Sequence, residues 1–145
     1  MTKKRTGEPW LPAPVYGRTL AGLSVNLIVR DVVRSLPFYT GVLGLRALYS
    51  DADFAALAGE PGVNVMLHAD HTYEAMVVAP RLAAGLVRGI GVELRLLGID
   101  PDGLEARARA AGVPVLVPAA DFPHGWRECH VEDPDGYVWA VGVGR

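Results

Sequence analysis

Apolar residues follow the same order of spacings twice along this chain. Each half begins with a short alternating segment, continues with a helix-length segment and ends with three further strand-like segments. Over 23–29 every second residue is apolar and falls on one face of a predicted strand, namely Leu23, Val25, Leu27 and Val29. The segment 92–97 alternates in the same way. The pattern predicts two copies of a unit ordered strand, helix, strand, strand, strand.

Polar and glycine residues mark the ends of the predicted helix in each half. Asp31 precedes the helix at about 32–42, and Asp100 precedes its counterpart, both as N-cap residues. Gly44 and Gly112 follow the two helices, where a left-handed residue commonly ends them. These boundaries predict helices of similar length in the two halves.

Three short strands are expected after each helix. They lie near 45–50, 53–58 and 63–68 in the first half and near 113–117, 126–132 and 137–143 in the second. Asp133-Pro134-Asp135-Gly136 joins the last two by a tight turn, because Pro presets φ and Gly accepts a positive φ. Pro37 falls inside the first helix, so we expect it near the first turn or at a distortion.

Residues 1–21 are predicted to form an N-terminal arm. Three irregularly placed prolines indicate neither a continued helix nor a central strand. The arm is interpreted either as a loose tail or as a segment packed on this subunit or a second copy, through Trp10, Leu11 and Tyr16. Residues 22–145 then form one domain of two modules, about 22–79 and 89–145.

Composition narrows the function classes. Half of the 145 residues are apolar, which suits one compact domain with an ordinary core. The net charge of −2, with no basic cluster beyond Lys3-Lys4-Arg5, argues against nucleic-acid and anionic-membrane partners. No apolar run approaches the roughly 20 residues of a spanning helix and the start is not signal-like, so a cytoplasmic protein is expected. The single Cys129 excludes an internal disulfide and is expected in a buried strand position.

Several short motifs occur in an order and spacing that together are specific. They are Val29-Arg30-Asp31, Ser35-Leu36-Pro37-Phe38-Tyr39, Leu43-Gly44, Ile99-Asp100, Ala111-Gly112 and Val131-Glu132-Asp133-Pro134-Asp135-Gly136-Tyr137. With these motifs, residues 22–145 resemble the vicinal oxygen chelate superfamily of glyoxalases, extradiol dioxygenases and bleomycin-resistance proteins. The resemblance implies an α+β fold in which two tandem βαβββ modules form an open eight-stranded cup, usually in a homodimer.

The resemblance also implies where enzymes of this superfamily hold a divalent metal, on the first and fourth strands of the modules. Those positions are occupied here by Ser24, Met66, Glu93 and Ala140. One carboxylate leaves a hard cation largely unliganded, so we expect no metal, no other cofactor and no standard metal catalysis. A displaced divalent-metal site at His68, Glu93 and His130 stays open as an alternative, because two imidazoles and a carboxylate suit zinc or iron.

Polar and aromatic side chains are expected on the inner face of the cup. Strand parity groups some of them, and the resemblance directs His130 and its alternate neighbours inward. The predicted ligand-binding residues are Ser24, Asn26, His68, Glu93, Arg95, Trp126, Glu128 and His130. Two plainer interpretations stay open: a structural ion pair of Arg95 with Glu93 or Glu128, and a core role for Trp126. Turn chemistry is expected to account for the polar run His68-Ala69-Asp70-His71-Thr72-Tyr73.

The leading functional prediction is a metal-independent protein of the bleomycin-resistance type. It would sequester an apolar or aromatic small molecule in the cup or at a dimer interface, a role connected with antibiotic resistance. The first alternative is a metal-dependent lyase, isomerase or dioxygenase with displaced ligands, or a metal-free catalyst using His130 and Glu128 as acid and base. The second is a regulatory or immunity module whose dimer surface is functional.

Overall fold

The computed structural model describes residues 4–145, which fall into two compact units with one four-stranded sheet each. The first unit extends to Leu36 and includes Gly44–Leu86. The second comprises Pro37–Leu43 and Val87–Arg145. No helix in the described part of the chain has the length and apolar character needed to cross a bilayer.

In the first half of the chain, the elements follow the predicted order. The helices are α1 (Ala13–Gly17), α2 (Val32–Pro37), which continues as a π-helical turn (Phe38–Val42), a 3₁₀ turn (Asp70–Tyr73) and α3 (Ala79–Ala83). The strands are β1 (Val25–Val29), β2 (Arg46–Ser50), β3 (Phe54–Ala58) and β4 (Asn64–Ala69). They are ordered β1-β4-β3-β2, with β1 parallel to β4 and the other pairs antiparallel.

The second half repeats this topology. It contains β5 (Glu93–Leu97), α4 (Pro101–Ala110), β6 (Val115–Phe122), β7 (Trp126–Glu132) and β8 (Val138–Gly144). The sheet order β5-β8-β7-β6 matches that of the first sheet, again with the outer parallel pair. The register is also equivalent, since Asn26 pairs with Met66 as Arg95 pairs with Ala140. The α+β class and the two tandem βαβββ modules are therefore confirmed.

The predicted helix signals are present as hydrogen bonds and backbone angles. The Asp31 carboxylate accepts the backbone N–H three residues later at 2.9 Å, and Asp100 accepts two backbone amides at 3.1 Å. Gly44 and Gly112 have φ of +78° and +67°. Pro37 is the last residue of α2 and adjoins the π-helical turn. The expected distortion therefore lies where the proline ring interrupts the helical hydrogen bonding.

One face of each sheet is buried. In the first sheet the alternation predicted for β1 is confirmed at Leu27 and Val29, which are buried. Leu23, expected on the same face, is 81% exposed. The reason is that pairing with β4 begins only at Val25, so Leu23 lies outside the hydrogen-bonded strand. In the second unit α4 packs on the sheet through buried Leu104 and Ala108.

Two other expectations need correction. β6 continues to Phe122 instead of ending near residue 117, because it is an edge strand whose pairing with β7 resumes after an irregularity around Pro118. The arm, predicted to form neither a continued helix nor a central strand, contains a short helix, α1. Pro12 is the N-cap and Pro14 lies in the first turn, where a proline's missing N–H costs nothing.

The Asp-Pro-Asp-Gly turn is built around the first aspartate. Asp133 Oδ1 accepts the backbone N–H groups of Asp135 at 2.9 Å and Tyr137 at 2.8 Å. The hydroxyl of buried Tyr39 donates to Asp133 Oδ2 at 2.6 Å. Gly136 has the expected positive φ of +98°. This motif is therefore structural, as is the fully buried Cys129.

Candidate functional site

The arm packs on the first unit of its own chain. The backbone N–H of Lys4 donates to the carbonyl of Thr72 at 3.0 Å. Trp10 stacks on Tyr49 with ring centroids 5.6 Å apart and an interplanar angle of 13°. Tyr16 places its ring edge against Phe54 at 5.7 Å. Of the interpretations of the arm, packing on this subunit is the one observed.

A cavity of about 550 Å³ lies between the arm and the first sheet. This volume is within the range of sites for small molecules. The arm contributes mainly apolar and aromatic walls, and strands β2, β3 and β4 together with the 3₁₀ turn contribute the rest. The lining side chains include Trp10, Tyr16, Tyr49, Phe54, Met66 and His68.

Strand alternation directs these sheet residues toward the arm. Met66 and His68 are half-buried, whereas Val65 and Leu67 between and beside them are buried in the core. Phe54 is the register partner of His68 in the neighbouring strand. Their rings contact with centroids 4.7 Å apart. A period of two therefore separates a buried core face from a cavity face.

A group of polar contacts, here called the clip, fastens the start of the arm. Asp53 is only 1% exposed and accepts both the backbone N–H and the hydroxyl of Thr6 at 2.6 Å. His71 Nε2 lies 2.7 Å from the same carboxylate. Arg5 donates to Asp51 at 2.5 Å. The clip consists of Arg5, Thr6, Asp51, Asp53 and His71.

These contacts determine the ionisation of the buried carboxylate. Burial alone raises the pKa of Asp53, but the hydrogen bonds from Thr6 and His71 and the charge of Arg5 outweigh it. The pKa of Asp53 is consequently held well below its usual range. Docking of the arm thus depends on a negative charge at this position.

His68 is oriented by a hydrogen-bonded chain. The Asn26 amide nitrogen donates to the hydroxyl of Tyr73 at 2.6 Å. The Asn26 carbonyl oxygen lies 2.6 Å from Nδ1 of His68. Tyr73 is buried, and its ring meets that of His68 edge-on at 5.7 Å. This cavity residue is therefore fixed from behind by two side chains.

A second polar cluster lies in the second unit, around the buried carboxylate of Glu128. Arg95 donates to Glu128 and, at 3.0 Å, to Glu93. His124 and His130 place Nε2 at 3.2 and 3.4 Å from the Glu128 carboxylate. Nδ1 of His130 is 3.6 Å from Glu93. The structural ion pair left open from the sequence is thus formed by Arg95 with both glutamates.

Small residues in β8 make room for this cluster. Ala140 lies between Arg95 and His130 in the sheet register. Gly142 is opposite Glu128, and a Cβ there would lie 2.8 Å from Cγ of Glu128. Burial raises the pKa of Glu128, but hydrogen bonds from the two histidines and Arg95 lower it overall. The cluster is held together by charge around an ionised, buried glutamate.

The predicted ligand-binding residues fall into groups within the two units. Asn26 and His68 are joined in the first unit, and Glu93, Arg95, Glu128 and His130 in the second. Ser24 precedes β1, and its hydroxyl oxygen is buried with no hydrogen-bond partner among residues 4–145. Trp126 is half-buried at the start of β7. Their role as ligand contacts stays a prediction.

Sequence reasoning missed most of the cavity. The arm residues Trp10 and Tyr16 were expected to pack, but nothing local indicated that they face Tyr49 and Phe54. The clip was missed because its arm residues, Arg5 and Thr6, contact partners more than 40 residues away in sequence. The run from His68 to Tyr73 ends β4 and forms a 3₁₀ turn, so turn formation accounts for it, although His68 also lines the cavity.

The donor set does not match a metal centre of the superfamily type. Within residues 4–145, no group of three or more His, Cys, Asp or Glu side chains is arranged to hold a metal ion. The superfamily positions carry Ser24, Met66, Glu93 and Ala140, of which only one offers a charged oxygen. Of the displaced set, Glu93 and His130 lie in the second unit and His68 in the first. Its role in metal binding stays an untested alternative.

Solved structures resemble this chain over most of its length. A glyoxalase/bleomycin resistance protein/dioxygenase from Nocardioides is 25% identical with a TM-score of 0.64, covering 90% of this chain and 91% of its own. TioX from Micromonospora sp. ML1 is 25% identical with a TM-score of 0.62, over 86% of this chain and 97% of its own. A lactoylglutathione lyase from Agrobacterium tumefaciens shares the fold, at 20% identity and a TM-score of 0.63, over 86% and 93%.

Comparison with family models agrees with the structures. No curated protein matches the chain. The model of the Glyoxalase/Bleomycin resistance protein/Dioxygenase superfamily matches residues 23–141, which include both sheets except the last residues of β8. The chain therefore belongs to the glyoxalase/bleomycin resistance protein/dioxygenase superfamily.

Proposed function

We propose that this protein binds an apolar or aromatic small molecule, without a metal ion, in the cavity under the arm. The observation that carries the proposal is a cavity of about 550 Å³ whose walls include the rings of Trp10, Tyr16, Tyr49 and Phe54. Aromatic walls offer large contact area at low conformational cost, and their faces favour planar rings. Sequestration of the bound compound is the function proposed, and the inclusion of bleomycin resistance proteins in the superfamily supports it.

The chemistry of the cavity wall favours binding over turnover. Among its described lining residues the ionisable side chains are Arg5, Tyr16, Tyr49 and His68. Arg5 contacts a carboxylate of the clip, and Tyr49 donates to the same Asp51 at 2.6 Å. General acid–base catalysis needs a group poised to move a proton, usually with a second group to complete the cycle. The lining residues therefore form a mainly hydrophobic binding site with one imidazole side chain, that of His68.

Calorimetric titration with planar aromatic compounds, including aromatic antibiotics, tests this proposal. The protein is first dialysed against a chelator and then titrated as wild type, Trp10→Ala and Leu86→Ala. Loss of the Trp10 ring is expected to weaken binding by about tenfold, the scale of one aromatic contact. Leu86 is exposed and outside the cavity lining, so its variant is the matched control. Equal affinity of the two variants, or binding only with added metal, contradicts the proposal.

One observation supports a second candidate function. His130 Nε2 lies 3.4 Å from Glu128 in the second unit, which is close to the geometry of a catalytic acid–base pair. A lyase or isomerase activity would then depend on this pair, and the expected result for His130→Ala is a loss of at least a hundredfold in turnover. An activity unchanged in that variant excludes His130 from the mechanism.

The resemblance further supports a homodimer. A cup-shaped receptor of this superfamily is usually completed by two copies of the chain. Light scattering after size-exclusion chromatography measures this directly, with a mass of twice 15.5 kDa expected. A monomer across micromolar concentrations contradicts it.

A further inference from the structure

The clip holds the arm at its beginning, well before the point in the chain where the arm joins the sheet. Thr6 donates its backbone N–H and its hydroxyl to the buried carboxylate of Asp53, both at 2.6 Å. Arg5 donates to Asp51 at 2.5 Å. Both carboxylates lie in the turn between β2 and β3. The beginning of the arm is therefore bound by charged hydrogen bonds, which are stronger than neutral ones.

The remainder of the arm is only lightly packed. None of residues 4–22 is buried. The ring contacts of the arm with the sheet include the stacking of Trp10 on Tyr49 and the edge contact of Tyr16 with Phe54. These four rings also line the cavity. A segment without buried residues opens at a low cost in free energy, because little apolar surface has to be exposed.

The arm joins β1 through a segment that is not part of the sheet. Ala21, Gly22 and Leu23 are exposed, and the pairing of β1 with β4 begins only at Val25. Gly22 has a φ of +67°, and a Cβ at this residue would meet no heavy atom within 4 Å. The backbone here can therefore turn without displacing neighbouring side chains. An exposed glycine segment at one end and a polar clip at the other are the parts that a hinged lid needs.

We propose that the arm is a hinged lid, and that ligands enter and leave the cavity when the clip releases and the arm turns about residues 21–24. This inference rests on the proposed binding function and concerns how access to the same cavity is controlled. The arm supplies the walls formed by Trp10 and Tyr16, so its opening uncovers the wall formed by the sheet. Thr6 and Asp53 are not among the described residues that line the cavity. The strength of the clip thus sets how often the cavity is open, without changing the contacts of a bound ligand.

A lid of this kind has a distinctive effect on the kinetics of binding. Association and release both pass through the open state, so both rate constants are proportional to its population. A change that weakens the clip raises this population by the same factor in the free and the ligand-bound protein. The two rate constants then rise together and Kd stays unchanged. Removal of a wall contact instead weakens binding mainly by faster dissociation.

The test compares wild type with Thr6→Val, which removes the hydroxyl that donates to Asp53 and keeps the branched shape of the side chain. Stopped-flow fluorescence measures the association and dissociation of 2-naphthol as an aromatic probe. Both rate constants are expected to rise about three- to tenfold in Thr6→Val, the scale of one net hydrogen bond, with Kd unchanged. Thr19→Val is the matched control, because its hydroxyl donates within the arm, to the carbonyl of Tyr16 at 2.7 Å. This control is expected to keep the wild-type rate constants.

The rate constants separate the failure of this inference from the failure of the proposed function. If 2-naphthol binds and Thr6→Val keeps both wild-type rate constants, or changes only dissociation, the lid is overturned while binding in the cavity stands. If 2-naphthol binds neither protein, both proposals fail. Hydrogen exchange of the Thr6 backbone amide, which donates to Asp53, reports the opening of the arm without any ligand. It is expected to be faster in Thr6→Val than in wild type by the same factor, and equal exchange in the two proteins overturns the lid.

Discussion

At the scale of single residues, close packing limits which side chains fit at the positions where enzymes of the superfamily hold metal ligands. Ala140 occupies a position where the enzymes place a metal ligand, and its methyl group lies between Arg95 and His130 in the sheet register. Gly142 leaves space for Glu128 in the same way. In the second sheet, the small residues Ala140 and Gly142 therefore leave room for an ion-pair cluster.

Gly142→Ala tests this packing argument. The added Cβ would lie 2.5 Å from the carbonyl oxygen of Arg127, a backbone atom that cannot move without disturbing β7. We expect a loss of about 1–3 kcal/mol in the free energy of unfolding, measured by urea denaturation. Gly144→Ala is the matched control, since its Cβ would meet nothing within 4 Å. Equal stability of the two variants would show that the site tolerates the extra atom.

At the scale of elements, local signals predicted well and long-range packing did not. Asp31 and Gly44 identified the first helix because capping acts within a few residues. Strand periodicity likewise located the face that carries His68. The clip depends on Thr6 meeting Asp53, a pairing 47 residues apart that no local pattern encodes. The fold was therefore predictable, whereas the arm that covers the cavity was recognised only as a segment expected to pack.

Acid titration of stability tests how the arm is held. Because the pKa of Asp53 is depressed in the folded state, its stabilisation is fully present above the unfolded pKa of about 3.9. It is lost progressively as the pH falls from there toward the folded pKa. We expect Asp53→Asn to be less stable than wild type at pH 7 by about 1.5–3 kcal/mol, the worth of charged hydrogen bonds.

The comparison is made by urea denaturation at pH 7, 5 and 3. The difference between wild type and Asp53→Asn is expected to persist at pH 5 and to shrink at pH 3. Glu60→Gln, at an exposed position, is the control for removing one carboxylate and is expected to match wild type throughout. A difference that stays constant down to pH 3 would mean that the charge of Asp53 does not hold the arm.

At the scale of the whole molecule, duplication has produced two units with the same topology and different contents. The first sheet faces an aromatic cavity under the arm, and the second carries a charged cluster of Arg95, His130 and two glutamates. Asn26–Met66 and Arg95–Ala140 are equivalent in register, so at these positions the two units differ in their side chains. Function in this fold depends on which unit receives the ligand.

The three tryptophans of the chain allow a single measurement to decide this, because Trp10 lines the cavity while Trp126 and Trp139 belong to the second unit. The measurement is a ¹H–¹⁵N titration of the three indole N–H signals with a planar aromatic compound, for which 2-naphthol serves as the probe. We expect the Trp10 signal to shift in a saturable manner while the signals of Trp126 and Trp139 stay in place. A shift of Trp126 with an unmoved Trp10 would contradict it and move the binding site to the second unit.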